Sequence, residues 1–307
     1  MALLIICPSK DPQPWQQAIS EFDPDIDIRI WPQVGNKDDI EFALCWNQPK
    51  GICSEFKNLK TICSMGAGVD HIICDKSIDD KINICRLIDD HLSDSMSEYL
   101  LASIYSIKQH LFRYFIDSKQ NEWHPRKPYP HLNIGIMGLG KIGSEVCLRL
   151  SRAGFNVSGW AKTEHHIDAV QCFHGEQQKA PFLSTIQILV CLLPLTEDTK
   201  GILNNHLFQL LPKGAHIINV ARGDHLVEKD LIANLNSNHI KSALLDVFSQ
   251  EPLPKQHPFW ERDDIFITPH ISSLSQPESV SKQIVANYHL TLTGKGLNHQ
   301  IDRERGY

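Results

Sequence analysis

The chain has no CxxC pair, no excess of positive charge, no apolar run long enough to cross a bilayer and no internal repeat. Each of these absences removes a class of protein. The nine cysteines are odd in number and scattered, and most, such as Cys7, Cys63, Cys147 and Cys191, stand in apolar surroundings. Reduced, buried thiols are therefore expected rather than a disulfide framework. A formal net charge of -6 offers no basic field to a phosphate backbone, so nucleic acid is not an expected partner. The strongest apolar run, "IQILVCLLPL", is about half of the roughly 20 residues that span a membrane, and no membrane association is expected. The opening "MALLIIC" lacks a basic leader and runs straight into "PSKDPQP", so it reads as a first strand rather than a signal peptide, and a cytoplasmic protein is expected. Sixteen histidines invite a metal reading, above all His165, His166, Cys172 and His174 in "HHIDAVQCFH". None of the established ligand spacings is present there, and no metal is expected.

What the chain does have is alternation. At 307 residues, with 42% hydrophobic and 21% charged residues, it is long enough for two globular domains. Up to about Ser95, short apolar runs ("ALLIIC", "DIDIRIW", "FALCW", "LKTICSMG", "INICRL") are ended by Gly, Pro or Asp, as suits buried strands of a parallel sheet. A long helical segment, "SMSEYLLASIYSIKQHLFRYFIDSKQNEW", carries Met96, Leu100, Ile104, Ile107, Leu111 and Phe115 in a 3.6-residue rhythm, and the proline-rich "HPRKPYP" closes it. From His131 to about Ser275 strands and helices alternate again ("NIGIMG", "NVSGW", "QILVCLLP", "AHIINV", "KSALLDVF", "IFITPH"), the pattern of a doubly wound α/β domain. The last segment, "QPESVSKQIVANYHLTLTGKG", reads as a helix.

Gly138, Gly140 and Gly143 form GxGxxG between the apolar strand "NIGIM" and a helix whose Ile142, Val146 and Leu150 make one apolar face. In that setting the first glycine permits a tight turn, the second lets the backbone approach a pyrophosphate, and the third lets helix pack on strand. The free N–H groups of the helix start then face the anion, so a dinucleotide is the expected ligand. The alternative is a plain strand-to-helix turn that binds nothing.

Three further segments, "NVARGDHLVEKDLIANL", "ALLDVFSQEPLP" and "ITPHISSLS", place Arg222, Glu251 and His270 after apolar strands of the same domain. Singly, each has an ordinary reading as a surface cation, a loop acid and an exposed histidine. Together, at the carboxyl ends where such sheets bind ligands, a cation, a carboxylate and an imidazole suit proton-coupled hydride transfer.

With these motifs in order, the chain resembles the D-2-hydroxyacid dehydrogenases over essentially its whole length, through "GLGKIG", "LLPLTEDTKGILN", "NVARG", "LDVFSQEPLP" and "TPH". Within them it is similar to the glyoxylate/hydroxypyruvate reductase A group, through "FALCW", "GAGVDHI", "SEYLL" and the closing "RERGY". The resemblance implies two flavodoxin-like or Rossmann-like doubly wound parallel-sheet domains. The substrate domain would comprise residues 1–97 and 276–307, the inserted dinucleotide-binding domain residues 98–275, with the active site in the cleft between them. It also implies a homodimer. Arg222 would bind the carboxylate and carbonyl oxygen of a small 2-oxo acid, His270 would protonate that oxygen, and Glu251 would fix the imidazole's tautomer. Asp246 would hold the nicotinamide carboxamide and Pro194 would border the ring, with Lys141, Ile142, Leu193, Val220 and Ala221 completing the cofactor contacts. The turn of Ala67, Gly68 and Val69 would offer backbone N–H groups to the substrate, with Trp46 as a wall. Ser272 and Ser273 depart from the Gly or Ala that many relatives carry beside the histidine. The same resemblance allows a second reading, a non-catalytic dinucleotide sensor or corepressor.

The end of the second strand indicates which cofactor to expect. An acidic residue about 20 residues past the glycines usually holds the ribose hydroxyls of NAD. Here that position is Ala161, followed by Lys162 and Thr163, a cation and a hydroxyl suited to a 2′-phosphate, and His165 or His166 could assist. NADPH is expected over NADH, with NAD still possible; Glu164 falls beyond the strand end.

Overall fold

The computed structural model describes residues 1–303, except the side chain of Asp90. The last four residues, and with them most of the "RERGY" motif, lie outside the described residues. Two compact units divide the chain, one made of Met1–Leu92 and the segment from Leu274 onward, the other of Ser93–Ser273.

The discontinuous unit is built on strands β1 (Ala2–Ile6), β2 (Asp27–Ile30), β3 (Ile40–Cys45), β4 (Thr61–Ser64) and β5 (Asn83–Arg86). They form one parallel sheet in the order β2-β1-β3-β4-β5. All five residues of β1 are buried, because a parallel sheet is covered on both faces and its strands are apolar throughout. On one face the helix Gln13–Phe22, through Trp15 and Ile19, shares a core with Val280, Ile284, Val285 and Tyr288 of the helix Pro277–Thr293. That shared core is what returns the end of the chain to its beginning.

The second unit holds β6 (Asn133–Met137), β7 (Asn156–Ala161), β8 (Gln171–His174), β9 (Ile188–Cys191), β10 (Ala215–Asn219), β11 (Ile240–Leu245) and β12 (Ile265–Ile267). All seven run parallel in the order β12-β11-β10-β9-β6-β7-β8. The winding reverses between β6 and β9, and in such sheets the crevice at the carboxyl ends beside that reversal is where ligands bind. The fold is therefore α/β, with two doubly wound parallel sheets.

Two local features depart from the sequence pattern. The long helical rhythm is broken: one helix covers Asp90–Lys108, a second covers Leu111–Lys119, and His110 between them is left-handed at φ 58°. The cause is the proline-rich return of the chain. Tyr129 donates its N–H to the Lys108 carbonyl at 3.0 Å, taking the acceptor that a continuing helix would use four residues on. Met96, Leu100, Ile104 and Ile107 are buried as the rhythm requires, whereas Leu111 and Phe115 are exposed. The other departure is β8, an additional edge strand within the histidine-rich stretch.

Candidate active site

The turn after β6 shows what each glycine does. Gly138 sits at φ +108°, and a Cβ there would stand 2.7 Å from the Leu192 carbonyl oxygen; at Gly143 it would stand 1.9 Å from the Gly138 carbonyl oxygen. Both glycines are demanded by the protein's own backbone. At Gly140 a Cβ would meet nothing within 4 Å. This residue begins the helix Lys141–Arg152 without a side-chain cap, and no acidic residue stands in the first turn. The first-turn amides of a helix have no intrahelical acceptor and carry its positive pole, so they and the open space over Gly140 fit a pyrophosphate.

At the end of β7, Ala161 is buried and its carbonyl accepts from Gly175 N–H at 3.0 Å. Lys162 and Thr163 are exposed, as is Glu164. The Lys162 ammonium meets Asp198, in the loop after β9, at 2.8 Å, and this hydrogen bond holds the Asp198 carboxyl below its ordinary value. Thr163 Oγ1 lies 3.4 Å from His165 Nε2, and His166 pairs with Asp168 at 3.6 Å. No acidic residue follows β7 directly in sequence, but the fold supplies one from 36 residues away.

Arg222, Glu251 and His270 follow β10, β11 and β12, three neighbouring strands of the same sheet. His270 Nδ1 and Glu251 Oε2 are 2.8 Å apart, while Glu251 Oε1 accepts the Phe248 N–H at 2.9 Å. An ionised carboxylate only accepts, so Nδ1 carries the proton of this hydrogen bond. Burial, the largest influence on Glu251, pushes its carboxyl up. The hydrogen bonds from His270 and Phe248 and the charges of His270 and Arg222 outweigh it and hold the carboxyl below its ordinary value. His270 itself is left-handed at φ 54°, a conformation that costs a non-glycine residue about 1 kcal/mol or more and persists only where its surroundings enforce it.

Arg222 is half-buried, its NH1 donating to the Ala221 carbonyl at 2.7 Å. Two residues that the sequence reading missed hold its backbone. Asn219 Nδ2 donates to the Arg222 carbonyl at 2.9 Å, and buried His225 accepts the Arg222 N–H at Nδ1 while its Nε2 reaches the Pro194 carbonyl, both at 3.2 Å. Gly223 lies flat against the next loop: a Cβ there would be 1.9 Å from the Phe248 carbonyl carbon. Leu193, Val220 and Ala221 are buried at the strand ends, and Pro194 is exposed. Asp246 is wholly buried, with Oδ1 accepting from Thr268 Oγ1 at 2.6 Å and Ile271 N–H at 2.9 Å, and Oδ2 from Ser272 N–H at 2.9 Å. Ser272 is buried by that contact, and Ser273 is half-buried.

In the discontinuous unit, Trp46 and the turn of Ala67, Gly68 and Val69 follow the neighbouring strands β3 and β4. A Cβ on Gly66 would lie 3.1 Å from the Trp46 ring, and Ser64 Oγ donates to the Gly68 carbonyl at 2.6 Å. Lys10, unremarked in the sequence, sets its ammonium 3.9 Å over the Trp46 ring, and burial draws that ammonium below its ordinary pKa. Among the described residues, the one group of three metal-ligating side chains that gathers is Asp117, Glu122 and His124, and Asp117 is already paired with Arg126.

The chain is similar to known proteins over its whole length. Residues 101–272 match the family described as D-isomer specific 2-hydroxyacid dehydrogenase, NAD binding domain. The chain is 35% identical to the glyoxylate/hydroxypyruvate reductase A of Yersinia enterocolitica, over all of both chains. A D-isomer specific 2-hydroxyacid dehydrogenase from Xanthobacter autotrophicus, solved with NADPH and MES, superposes with a TM-score of 0.92 at 35% identity, covering 100% of this chain and 99% of that one. An NADPH-dependent glyoxylate/hydroxypyruvate reductase from Sinorhizobium meliloti, solved with NADP and sulfate, gives a TM-score of 0.91 at 28% identity with the same coverage.

Proposed function

Since the chain belongs to the D-isomer specific 2-hydroxyacid dehydrogenase family, we propose that it reduces small 2-oxo acids, glyoxylate and hydroxypyruvate, to 2-hydroxy acids with NADPH. The observation that carries this reading is the hydrogen-bonded pair His270–Glu251 in the same sheet as Arg222 and the glycine turn. When bound, the reduced nicotinamide supplies the hydride. Arg222 binds the substrate carboxylate through the planar fork of its guanidinium. The His270 Nε2 proton passes to the carbonyl oxygen, so an alkoxide never has to stand alone. Glu251 stays ionised and steadies the imidazolium before the transfer. Ala67, Gly68 and Val69 offer backbone N–H groups to the substrate and Trp46 walls it, on the strength of the family resemblance. The sensor or corepressor reading has no support among these relatives, whose names describe reductases.

The preference for NADPH follows from Ala161, where a carboxylate would repel a 2′-phosphate, and from Lys162 and Thr163 beside it. Lys162 is held by Asp198 in solvent, and a dianionic phosphate is the stronger partner for an ammonium than one carboxylate. Glyoxylate, hydroxypyruvate, pyruvate and larger 2-oxo acids, each assayed with both cofactors, test the whole reading. The expected result is oxidation of NADPH with the small acids, at a higher kcat/KM than with NADH, and a shift toward NADH in the double variant Ala161→Asp, Lys162→Ala. No turnover of any 2-oxo acid sinks the activity; a higher kcat/KM with NADH in the unaltered protein sinks the preference.

Cytoplasmic location is proposed from the nine free cysteines, seven of them buried. A homodimer is proposed from the resemblance together with Leu111, Phe115 and Trp123, large apolar residues left exposed at 42%, 64% and 93%. Sedimentation is expected to give the mass of two chains; a single-chain mass at micromolar concentration contradicts it.

A further inference from the structure

A buried carboxylate ordinarily needs a cation or a full set of hydrogen bonds. Asp246 has the second: its donors among the described residues are the neutral Thr268 hydroxyl and the Ile271 and Ser272 amides. All three belong to the short segment that carries His270. The left-handed turn at His270 is what makes this possible, because it aims successive amides at a single point, the arrangement by which a backbone nest holds an anion. The His270 N–H also donates to the Asp246 carbonyl at 2.9 Å. Beyond Thr268 stands Tyr99, its hydroxyl 2.6 Å from Thr268 Oγ1. Thr268 has one hydroxyl proton and gives it to the carboxylate, so toward Tyr99 it can only accept, and the phenol donates. Burial pushes the Tyr99 phenol up to about 12, so its proton is present throughout the working range.

We propose that Asp246 is the positioning residue for His270: its carboxylate gathers Thr268, Ile271 and Ser272 and fixes the turn that aims the imidazole at Glu251, with Tyr99 anchoring the chain of hydroxyls. This rests on the role given to His270 above and assigns Asp246 a task other than holding the nicotinamide carboxamide. It also explains the choice of carboxylate. An asparagine would turn an NH2 toward one of the donors and leave that buried donor without an acceptor.

The test uses residues one and two steps removed. Thr268→Val keeps the shape and removes the hydroxyl, Thr268→Ser keeps the hydroxyl, and Tyr99→Phe removes only the anchor. A misplaced catalytic group costs about a hundredfold per ångström, so Thr268→Val is expected to lower kcat by roughly tenfold to a hundredfold. Its NADPH Kd, read by fluorescence titration, is expected to stay near that of the unaltered protein, and its Tm to fall by a few degrees, because the buried carboxylate loses a donor and the Tyr99 phenol its acceptor. Thr268→Ser is expected to restore kcat, and Tyr99→Phe to fall between the two. Independently of turnover, 15N-histidine spectra should show the hydrogen-bonded Nδ1 proton of His270, assigned with His270→Asn. That signal is expected to disappear in Thr268→Val and to persist in Thr268→Ser. An unchanged kcat and His270 signal in Thr268→Val overturns the proposal, as does an Asp246→Asn variant that weakens NADPH binding alone with kcat intact at saturation. If the unaltered protein reduces no 2-oxo acid, the functional reading fails, and the His270 signal still decides the positioning.

Discussion

His270→Asn is expected to lower kcat by about two to four orders of magnitude, the usual worth of a general acid, with the NADPH Kd changed less than about twofold. In transition-state terms this is roughly 3–5 kcal/mol. Asparagine is the informative replacement because it tolerates the left-handed conformation at φ 54°, so the backbone stays where Asp246 holds it and only the imidazole is lost. The carboxamide cannot deliver a proton at neutral pH. Steady-state kinetics with glyoxylate or hydroxypyruvate and a fluorescence titration of NADPH check both halves. Turnover near that of the unaltered protein would remove His270 from the mechanism.

Arg222→Lys should act on the other side of the reaction, raising KM for the 2-oxo acid by about tenfold to a hundredfold with a smaller effect on kcat. The structure gives the reason. The guanidinium donates one N–H to the Ala221 carbonyl, and its five N–H donors are fixed in one plane as a fork. An ammonium is a point charge and cannot serve the carbonyl and a two-oxygen acceptor in the same geometry. Asn219 and His225 hold the Arg222 backbone, so the loop is expected to stay in place in this variant. If both kinetic constants are unaltered, the substrate carboxylate is bound by another group.

How far these residues could be read from sequence depended on the range of their interactions. Strands such as β1 and β9 stood out because fully buried parallel strands are continuous apolar runs. β8 did not, because it is an edge strand of four residues with one exposed and three partly exposed positions, and its apolar pair Cys172 and Phe173 is too short a run between Gln171 and His174 to mark a strand. The rhythm from Met96 to Phe115 is helical throughout, and nothing local marks the break at His110; the acceptor is taken by Tyr129, whose approach is a tertiary event. At the site, Arg222, Glu251 and His270 were legible because each follows a strand, where side chains of a doubly wound sheet meet ligands. The residues that hold them were not. His225 reaches Pro194 across 31 positions, Asp198 reaches Lys162 across 36, and Tyr99 reaches Thr268 across 169. Such partners have ordinary local contexts, and only the folded chain pairs them. Asp246 was legible as a residue but not in its contacts, since its complete burial under the 268–272 segment is invisible in "LLDVF".

The three glycines after β6 answer to different masters over evolutionary time. Gly138 and Gly143 are fixed by neighbouring carbonyl oxygens, so any lineage that keeps this fold must keep them, whatever it binds. Gly140 has only open space above it and a backbone that any residue can adopt, at φ -68° and ψ -170°. A descendant that abandoned the dinucleotide while remaining folded would therefore hold the first and third glycines and let the second drift. The middle glycine is thus a fossil marker of ligand use, distinct from the two that record only the architecture.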